Sequence, residues 1–447
     1  MTIASGASKR AKPERVRGPA ATGDIQAFVK LREAAYQYGD AAVHSMDSEK
    51  LMRNAAILGY GAVPVGIYQR VKDGSDPPLE HELAAKVVLE AVQMAGLRKQ
   101  DLDGVVVAHP GDHTKQGYFH TFLTAYLGLT SRSTVMQVLG NGMTAGLAFD
   151  EGLRLVGTGE TDCVLVIAAH YESGTPTADH LDFSIRLTGD VDFQSIFGAV
   201  PIAWYAMVAR RYMHDFGVTR ADIAQVAVKN RRQAVLNPLA QFRTPITLDD
   251  VLAQRMIVEP LGLLEVPGRA DGAVALVIVS EEMARRSGRP HVLVRSRGFY
   301  HEGQHQIADR AVDMTHYQSI RIATQAALQK ADLTLDDIGS FQVYAPCTIV
   351  EVVATESMGL FPRGQGWAAA ADGRSAFDGA RPVNTSGGHL SRGHPPEATP
   401  LYDVVEACLQ VLGRAGERQV ANGGLGMTVS ELGNYNAALA HILEGRP

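Results

Sequence analysis

The 447-residue chain predicts an α/β fold built from two similar halves. Three observations carry that expectation. Helical runs alternate with continuously apolar strands, one helix–turn–strand unit recurs far down the chain without a gap, and in each half a glycine-bearing turn launches the next helix.

The elements follow in order. The first 20 residues, MTIASGASKRAKPERVRGPA, are basic, rich in small residues and almost free of aromatics, so residues 1–50 read as a disordered basic arm. From Ala55, AAILGYGAVPVG is a short β-rich run ending in turn residues. LEHELAAKVVLEAVQMAGL then places Leu83, Val87, Ala91 and Met94 or Ala95 on one helical face. DLDGVVVAHP is an acidic turn followed by a strand apolar on both faces, the mark of full burial.

That unit returns. Residues 84–110 align with residues 320–346 at a constant offset, pairing Ala91 with Ala327, Ala95 with Ala331, Leu97 with Leu333, Asp101 with Asp337, Val107 with Val343 and Pro110 with Pro346. So long a period signals two duplicated halves, not a solenoid of short repeats. In the first half GNGMTAG (140–146) leads into the helical run LAFDEGLRLVGTG and the strand CVLVIAA (163–169). In the second, VNTSGGHLSRGHPPEATP (383–400) leads into LYDVVEACLQVLGRAG and RQVANGGLGMTVS (418–430). If the halves pack about a local two-fold axis, the two helix N-termini converge on one pocket, where N–H groups favour an anion.

Residues 170–255 break the regularity with loops and one helical stretch, PIAWYAMVARRYMHDFG, and read as an inserted loop domain lying over the first half. A buried strand in LEVPGRADGAVALVIVS closes that half, so the expected domains are 51–285 and 286–447.

Hydrophobic content of 46% with 20% charged residues describes a globular protein. A net charge of −6 gives no basic surface for nucleic acid. No apolar run approaches the roughly 18 residues of a membrane span. Cys163, Cys347 and Cys408 are too few and scattered for a disulfide framework or a CxxC metal site, which fits a cytoplasmic protein.

Several motifs point further. YAPCTIVEVVATESMGLFPRGQG (344–366) is similar to the HDCFxxxE…YEALGL…GQG segment of the thiolase superfamily's lipid-transfer-type branch, related to the sterol-carrier thiolase. PVNTSGGHLSRGHPPEAT resembles that branch's NPSGGxxxxGHPxGAT loop, and RQV…NGGLG resembles its RQV…HNLGLGG ending. GNGMTAG…GETDCVLVIA, ARRYMHDFGVT and DGAVALVIVS carry the resemblance through the first half, so it covers roughly residues 53–443. It implies a duplicated, five-layered fold of two βαβαβαββ halves, and carbon–carbon bond chemistry beside a CoA thioester. Coenzyme A would come as part of the substrate, with no bound cofactor and no metal.

The resemblance also assigns the site. Met143 stands where the family has its nucleophilic cysteine, and a thioether cannot be acylated as a thiolate can. It is therefore expected as a pocket wall whose backbone N–H helps hold a thioester oxygen. His394 matches the GHP histidine, the expected base. Tyr344 falls on the first histidine of HDCF and is the expected acid or hydrogen-bond donor.

Ala421 takes the place of the terminal histidine beside Asn422, while Gly424 and Gly426 are expected to offer oxyanion N–H groups. Cys347 replaces the phenylalanine of HDCF. Asn384 is expected to fix its loop, Glu351 and Glu356 to orient neighbours or face solvent, and His389 to be a loop histidine. His109, at the end of the strand that repeats at Tyr344, is a further candidate.

Three functions fit these residues. One is an aldol or retro-aldol enzyme needing no acyl-cysteine. Another is a thiolase-type acyltransferase with a relocated nucleophile at Cys347. The third is a non-catalytic acyl-CoA-binding or structural subunit. The resemblance also implies a homodimer through the first half, and a small OB-fold, zinc-ribbon partner that the basic arm would dock.

Overall fold

Nine strands of one mixed sheet frame the fold: β1 (Ala55–Ala62), β2 (Gly104–Ala108), β3 (Thr134–Val138), β4 (Cys163–His170), β5 (Gly272–Ser280), β6 (His291–His301), β7 (Ser340–Val343), β8 (Leu425–Glu431) and β9 (Ala437–Arg446). This computed structural model describes residues 53–447 apart from 70–75, 112–115, 189–190, 193–194, 303–311 and 432–434. The expected arm, residues 1–50, lies outside the described residues.

The sheet order β3-β2-β4-β5-β1-β6-β9-β8-β7 is itself a duplication. β2 lies parallel to β3 and β4, and β4 antiparallel to β5; in the second half β7 lies parallel to β8, and β8 antiparallel to β9. Read inward from either edge, the two arrays end on β1 and β6. These join antiparallel at Ala56↔Leu293 and Ile57↔Val292.

Helices complete five layers. On one outer face α1 (Glu80–Ala95) packs Leu83, Val87, Ala91 and Ala95 against β1 and β5. Its start is capped by the Glu82 carboxylate, which accepts the Leu79 N–H at 2.8 Å, and Gly96 ends it at φ 68°. Gly59 of β1 permits close approach, since a Cβ there would lie 2.1 Å from the Ala91 carbonyl oxygen. Between the two halves of the sheet lie α2 (Thr144–Gly157) and α8 (Thr399–Val411), sharing a core of Ala148, Phe149, Leu401 and Val405 with inward strand residues. The opposite outer face carries α6 (Gln318–Ala331) and α7 (Thr348–Met358).

Between β4 and β5 come α3 (Thr177–Thr188), α4 (Pro201–Phe216) and α5 (Arg220–Val235). The expectation that this segment lies over the first half is corrected for α4 and α5 alone, since Val65 of the first half still donates its N–H to the Leu239 carbonyl at 2.9 Å. α4 and α5 pack against α7, and Tyr205, Ala209, Tyr212 and Ile223 share one core with Ile349, Val352 and Val353 of the second half. Their apolar stripes match α7, which is buried along its whole length.

Candidate active site

Two strand ends and two helix heads build the site. β4 ends on His170, and β7 delivers Tyr344 immediately after Val343, held by its N–H donating to the Val429 carbonyl at 2.9 Å. The loop 383–400 turns back through a short helix, Gly388–Ser391, to the head of α8. It needs glycine: Gly393 sits at φ 107°, and a Cβ there would meet the Val65 side chain at 2.4 Å. The expected convergence of helix heads is present, because Ala145 of α2 donates its N–H to the Glu397 carbonyl at 3.1 Å.

His394 and Tyr344 meet in this space. The Tyr344 hydroxyl lies 3.2 Å from His394 Nε2, with both rings buried and nearly perpendicular. The hydrogen-bond network assigns the tautomer. The Thr399 hydroxyl donates to the Pro395 carbonyl at 2.8 Å, so it accepts from His394 Nδ1–H at 2.9 Å. Nε2 is left as the acceptor, and Tyr344 donates to it. Burial, with the neighbouring His389 and Arg392, holds the His394 imidazole well below its usual range and therefore neutral. Burial and the carboxylates of Glu431 and Glu397 push the Tyr344 phenol well up, so it keeps its proton.

Two of the flanking residues are structural supports. His389, expected as a loop histidine, is fully buried: Nδ1 accepts the Ala345 N–H at 3.1 Å and Nε2 donates to Asp403 Oδ2 at 3.1 Å. It thereby ties the residue after Tyr344 to α8, while stacking on His394 with centroids 5.2 Å apart. Asp403 also binds the buried Arg392 guanidinium. Asn384 accepts the Val343 N–H and donates to Glu351, each at 2.8 Å, which holds the loop against β7. Glu351 and Glu356 are both buried, bound respectively to Lys229 and to the Tyr212 hydroxyl.

Met143 is at the head of α2, but not as a cavity wall. Its side chain is buried against Leu147, Ala437 and Leu439, and its N–H donates to the Gly140 carbonyl at 3.0 Å instead of pointing at a ligand. The neighbouring Gly142 matters more, because a Cβ there would stand 2.6 Å from the Tyr344 hydroxyl and 3.1 Å from the Glu431 carbonyl. Gly142→Ala is expected to cost about 1–3 kcal/mol by overpacking. It should also push the phenol off His394, lowering turnover more than substrate affinity; thermal melts and steady-state kinetics check both.

Other expected site residues are not brought together. Gly426 pairs with Ser340 at the start of β8, and Val429, beside Tyr344, lies roughly 10 Å further along at 3.3 Å per residue. Gly424, Asn422 and Ala421 are exposed at that same far end, so none offers an oxyanion donor to the cavity. The end of β8 that reaches Tyr344 carries Ser430 and Glu431 instead. Cys347 caps α7 fully buried, and burial, then the Glu265 charge, pushes its thiol well up. His109 is buried on the Phe119 ring at 4.1 Å and faces Glu80 at 3.2 Å, away from the cavity.

The cavity, about 890 Å³ including its mouth, is lined by groups the sequence did not flag. Beside Tyr344 and His394 stand His170, Glu172, His180, Tyr205 and Glu397. His170 Nε2 lies 3.1 Å from Glu172 Oε2, its Nδ1 contacts Glu397, and His180 Nδ1 lies 2.8 Å from the same Glu172 oxygen. Burial opposes a charge on His170, yet Glu397 and Glu172 overcome it and raise the imidazole well above its usual range. The one signal available was a histidine closing an otherwise apolar strand, VLVIAAH. Among the described residues no His, Cys, Asp and Glu group is arranged to hold a metal, and no helix is long and apolar enough to cross a membrane.

Comparison with known proteins agrees with this architecture. Residues 77–282 match the family described as thiolase, N-terminal domain, and residues 301–445 the family described as thiolase C-terminal domain-like. An acetyl-CoA acetyltransferase of Methanothermobacter thermautotrophicus is 32% identical over 393 residues, covering 88% of this chain and 99% of that protein. A steroid side-chain-cleaving aldolase of Thermomonospora curvata is 30% identical over 349 residues, covering 76% and 86%. The solved Ltp2-ChsH2(DUF35) aldolase superposes with a TM-score of 0.74 at 28% identity, covering 88% of this chain and 98% of that one.

Proposed function

The chain belongs to the thiolase superfamily, in its lipid-transfer-type branch, and on that premise we propose that it makes or breaks a carbon–carbon bond beside a CoA thioester by aldol or retro-aldol chemistry, without an acyl-cysteine. The observation that carries this reading is the hydrogen-bonded Tyr344–His394 pair lining the cavity, with a methionine and no thiol at the nearby head of α2. In the cleavage direction the Tyr344 oxygen takes the proton of the substrate's β-hydroxyl as its own proton passes to His394 Nε2. The β-carbon becomes a carbonyl, and the Cα–Cβ electron pair becomes the thioester enolate. That charge develops in a cavity already holding the His170 imidazolium. The likeness to a steroid side-chain-cleaving aldolase supports this reading, and a methionine where the family motif has its cysteine favours it over the acyl transfer named for the similar acetyl-CoA acetyltransferase.

A relocated nucleophile finds little support: Cys347 is buried with its thiol pushed well up, and Cys163 and Cys408 are buried elsewhere. The deciding experiment incubates the protein with β-hydroxyacyl-CoA thioesters bearing a tertiary hydroxyl, a steroid side-chain thioester among them. Release of a ketone and a shortened acyl-CoA, with no mass gain on the protein, is expected. CoA-dependent thiolysis with an acyl adduct would overturn the proposal.

Because neutral His394 is the acceptor and its pKa is depressed, activity should persist as pH falls through the usual imidazole range near 6.5. A kcat/KM profile should place the acid limb below that range. The proposal extends to assembly and place: a cytoplasmic homodimer, with a small DUF35-like partner as in the Ltp2-ChsH2 aldolase. The edge strand β3, with Tyr118, Tyr126 and Leu139 exposed, supports pairing with a second copy.

A further inference from the structure

The oxyanion donors expected from the sequence lie elsewhere: the Met143 N–H donates to the Gly140 carbonyl, and Gly424 and Gly426 sit at the far end of β8. We propose that the Tyr205 hydroxyl takes their place, as the donor that holds the thioester oxygen while it becomes the enolate oxygen. The inference deepens the aldol reading and rests on it for the step in which that charge develops.

Tyr205 stands one turn into α4, whose first residues, Pro201 and Ile202, line the cavity beside it. Its ring is fixed from behind: it meets Tyr435 edge to face with centroids 5.8 Å apart and belongs to the core shared with α5 and α7. Only 5% of the residue is exposed, and among the described residues nothing hydrogen-bonds its hydroxyl. The hydroxyls of its neighbours Tyr317 and Tyr435 are closed off from solvent, whereas that of Tyr205 is not. A buried hydroxyl without a partner is costly, and the cavity is where a partner enters.

Other donors on the lining are already engaged. Tyr344 donates to His394, Ser184 to the His180 carbonyl at 2.8 Å, and Arg269 to the Thr175 and Glu172 carbonyls. The His170 nitrogens face Glu172 and Glu397. Tyr205 and Tyr344 line the same space, near enough for the Tyr344 phenol to act electrostatically on that of Tyr205. In a β-hydroxyacyl thioester the hydroxyl and the carbonyl oxygen are joined by the short Cβ–Cα–C1 chain, so donors to the two must stand on neighbouring walls.

As the Cα–Cβ bond breaks, its electron pair forms the Cα–C1 double bond and the carbonyl pair moves onto the thioester oxygen, where the hydrogen bond from Tyr205 strengthens. No proton leaves Tyr205, because burial, and then the Glu431 carboxyl, push its phenol well above the usual tyrosine range. Cα then gains a proton from water, the Tyr344–His394 pair returns one to it, and the carbonyl re-forms.

Tyr205→Phe, measured with S-carboxymethyl-CoA as a stable carboxylate mimic of the enolate, tests the assignment. Calorimetry should show wild-type protein binding the mimic more tightly than acetyl-CoA. The variant should lose about 10–100-fold in affinity for the mimic and about 10²–10³-fold in kcat for cleavage. Its acetyl-CoA affinity and melting temperature should hold, since the hydroxyl has no protein partner to lose. Unchanged mimic affinity overturns the assignment, and so does equal weakening of mimic and acetyl-CoA, the mark of a hydroxyl that only binds the resting thioester. Selective loss of the mimic in a protein that cleaves no β-hydroxyacyl-CoA would keep the oxyanion site and remove the aldol reading. Cleavage at the wild-type rate in Tyr205→Phe would keep the aldol reading and remove the site.

Discussion

Tyr344→Phe is expected to lower kcat for carbon–carbon cleavage by about 10²–10⁴-fold, the range for loss of a positioned acid–base group. The substitution removes one oxygen and keeps the ring, which is buried against His389 at 4.7 Å and His394 at 5.3 Å between centroids. The fold therefore loses one hydrogen bond, worth about 1 kcal/mol, and no packing. KM should move little, since the hydroxyl acts on the proton in flight more than on the resting thioester. A fall confined to KM would show that Tyr344 only binds substrate. Steady-state kinetics of the variant, with a thermal melt alongside, separate the two.

The second large effect falls on stability. Asp403 is buried on α8 between Arg392 and His389, so Asp403→Ala leaves a buried guanidinium uncompensated. Such removal typically costs about 3–5 kcal/mol, and denaturant unfolding of the variant should show it. The same carboxylate sets an acid limit. Burial works against its charge, but Arg392 and His389 overcome that and hold its pKa below the ordinary value. A depressed carboxylate contributes stability above its unfolded pKa, near 3.9, and loses it as pH falls through the lower folded value. Wild-type protein should therefore lose this contribution below about pH 4, whereas the alanine variant should show a correspondingly flatter acid limb.

The fold was legible because its signals are periodic. The repeat pairing Ala91 with Ala327 and Val107 with Val343 reappears as α1 with β2 and α6 with β7, one unit built twice. The place of His394 was legible because GHP couples a backbone only glycine adopts to a ring it must present. Other parts were not. NGGLG offers permissive turns that suit either end of a strand, and only the register of β8 against β7 assigns Gly424 and Gly426 to the end away from Tyr344. His170 and Glu397 lie far apart in sequence, and each alone reads as a strand-end histidine or a helix-head acid. Their pairing exists only once β4 and the loop before α8 share a cavity. The cover of α4 and α5 over α7 was likewise hidden, since an amphipathic stripe declares that it needs a partner without declaring which.

Met143 at the helix head, with all three thiols sealed in the interior, has a consequence for chemical vulnerability. An acyl-cysteine enzyme must keep a thiolate at its mouth, and that thiolate is also what peroxides and alkylating electrophiles attack. Here the cavity presents phenol, imidazole and carboxylate, none of which a peroxide oxidises as it does a thiolate. The proposed chemistry is thus insulated from oxidant stress at the one position where its relatives by motif would be silenced.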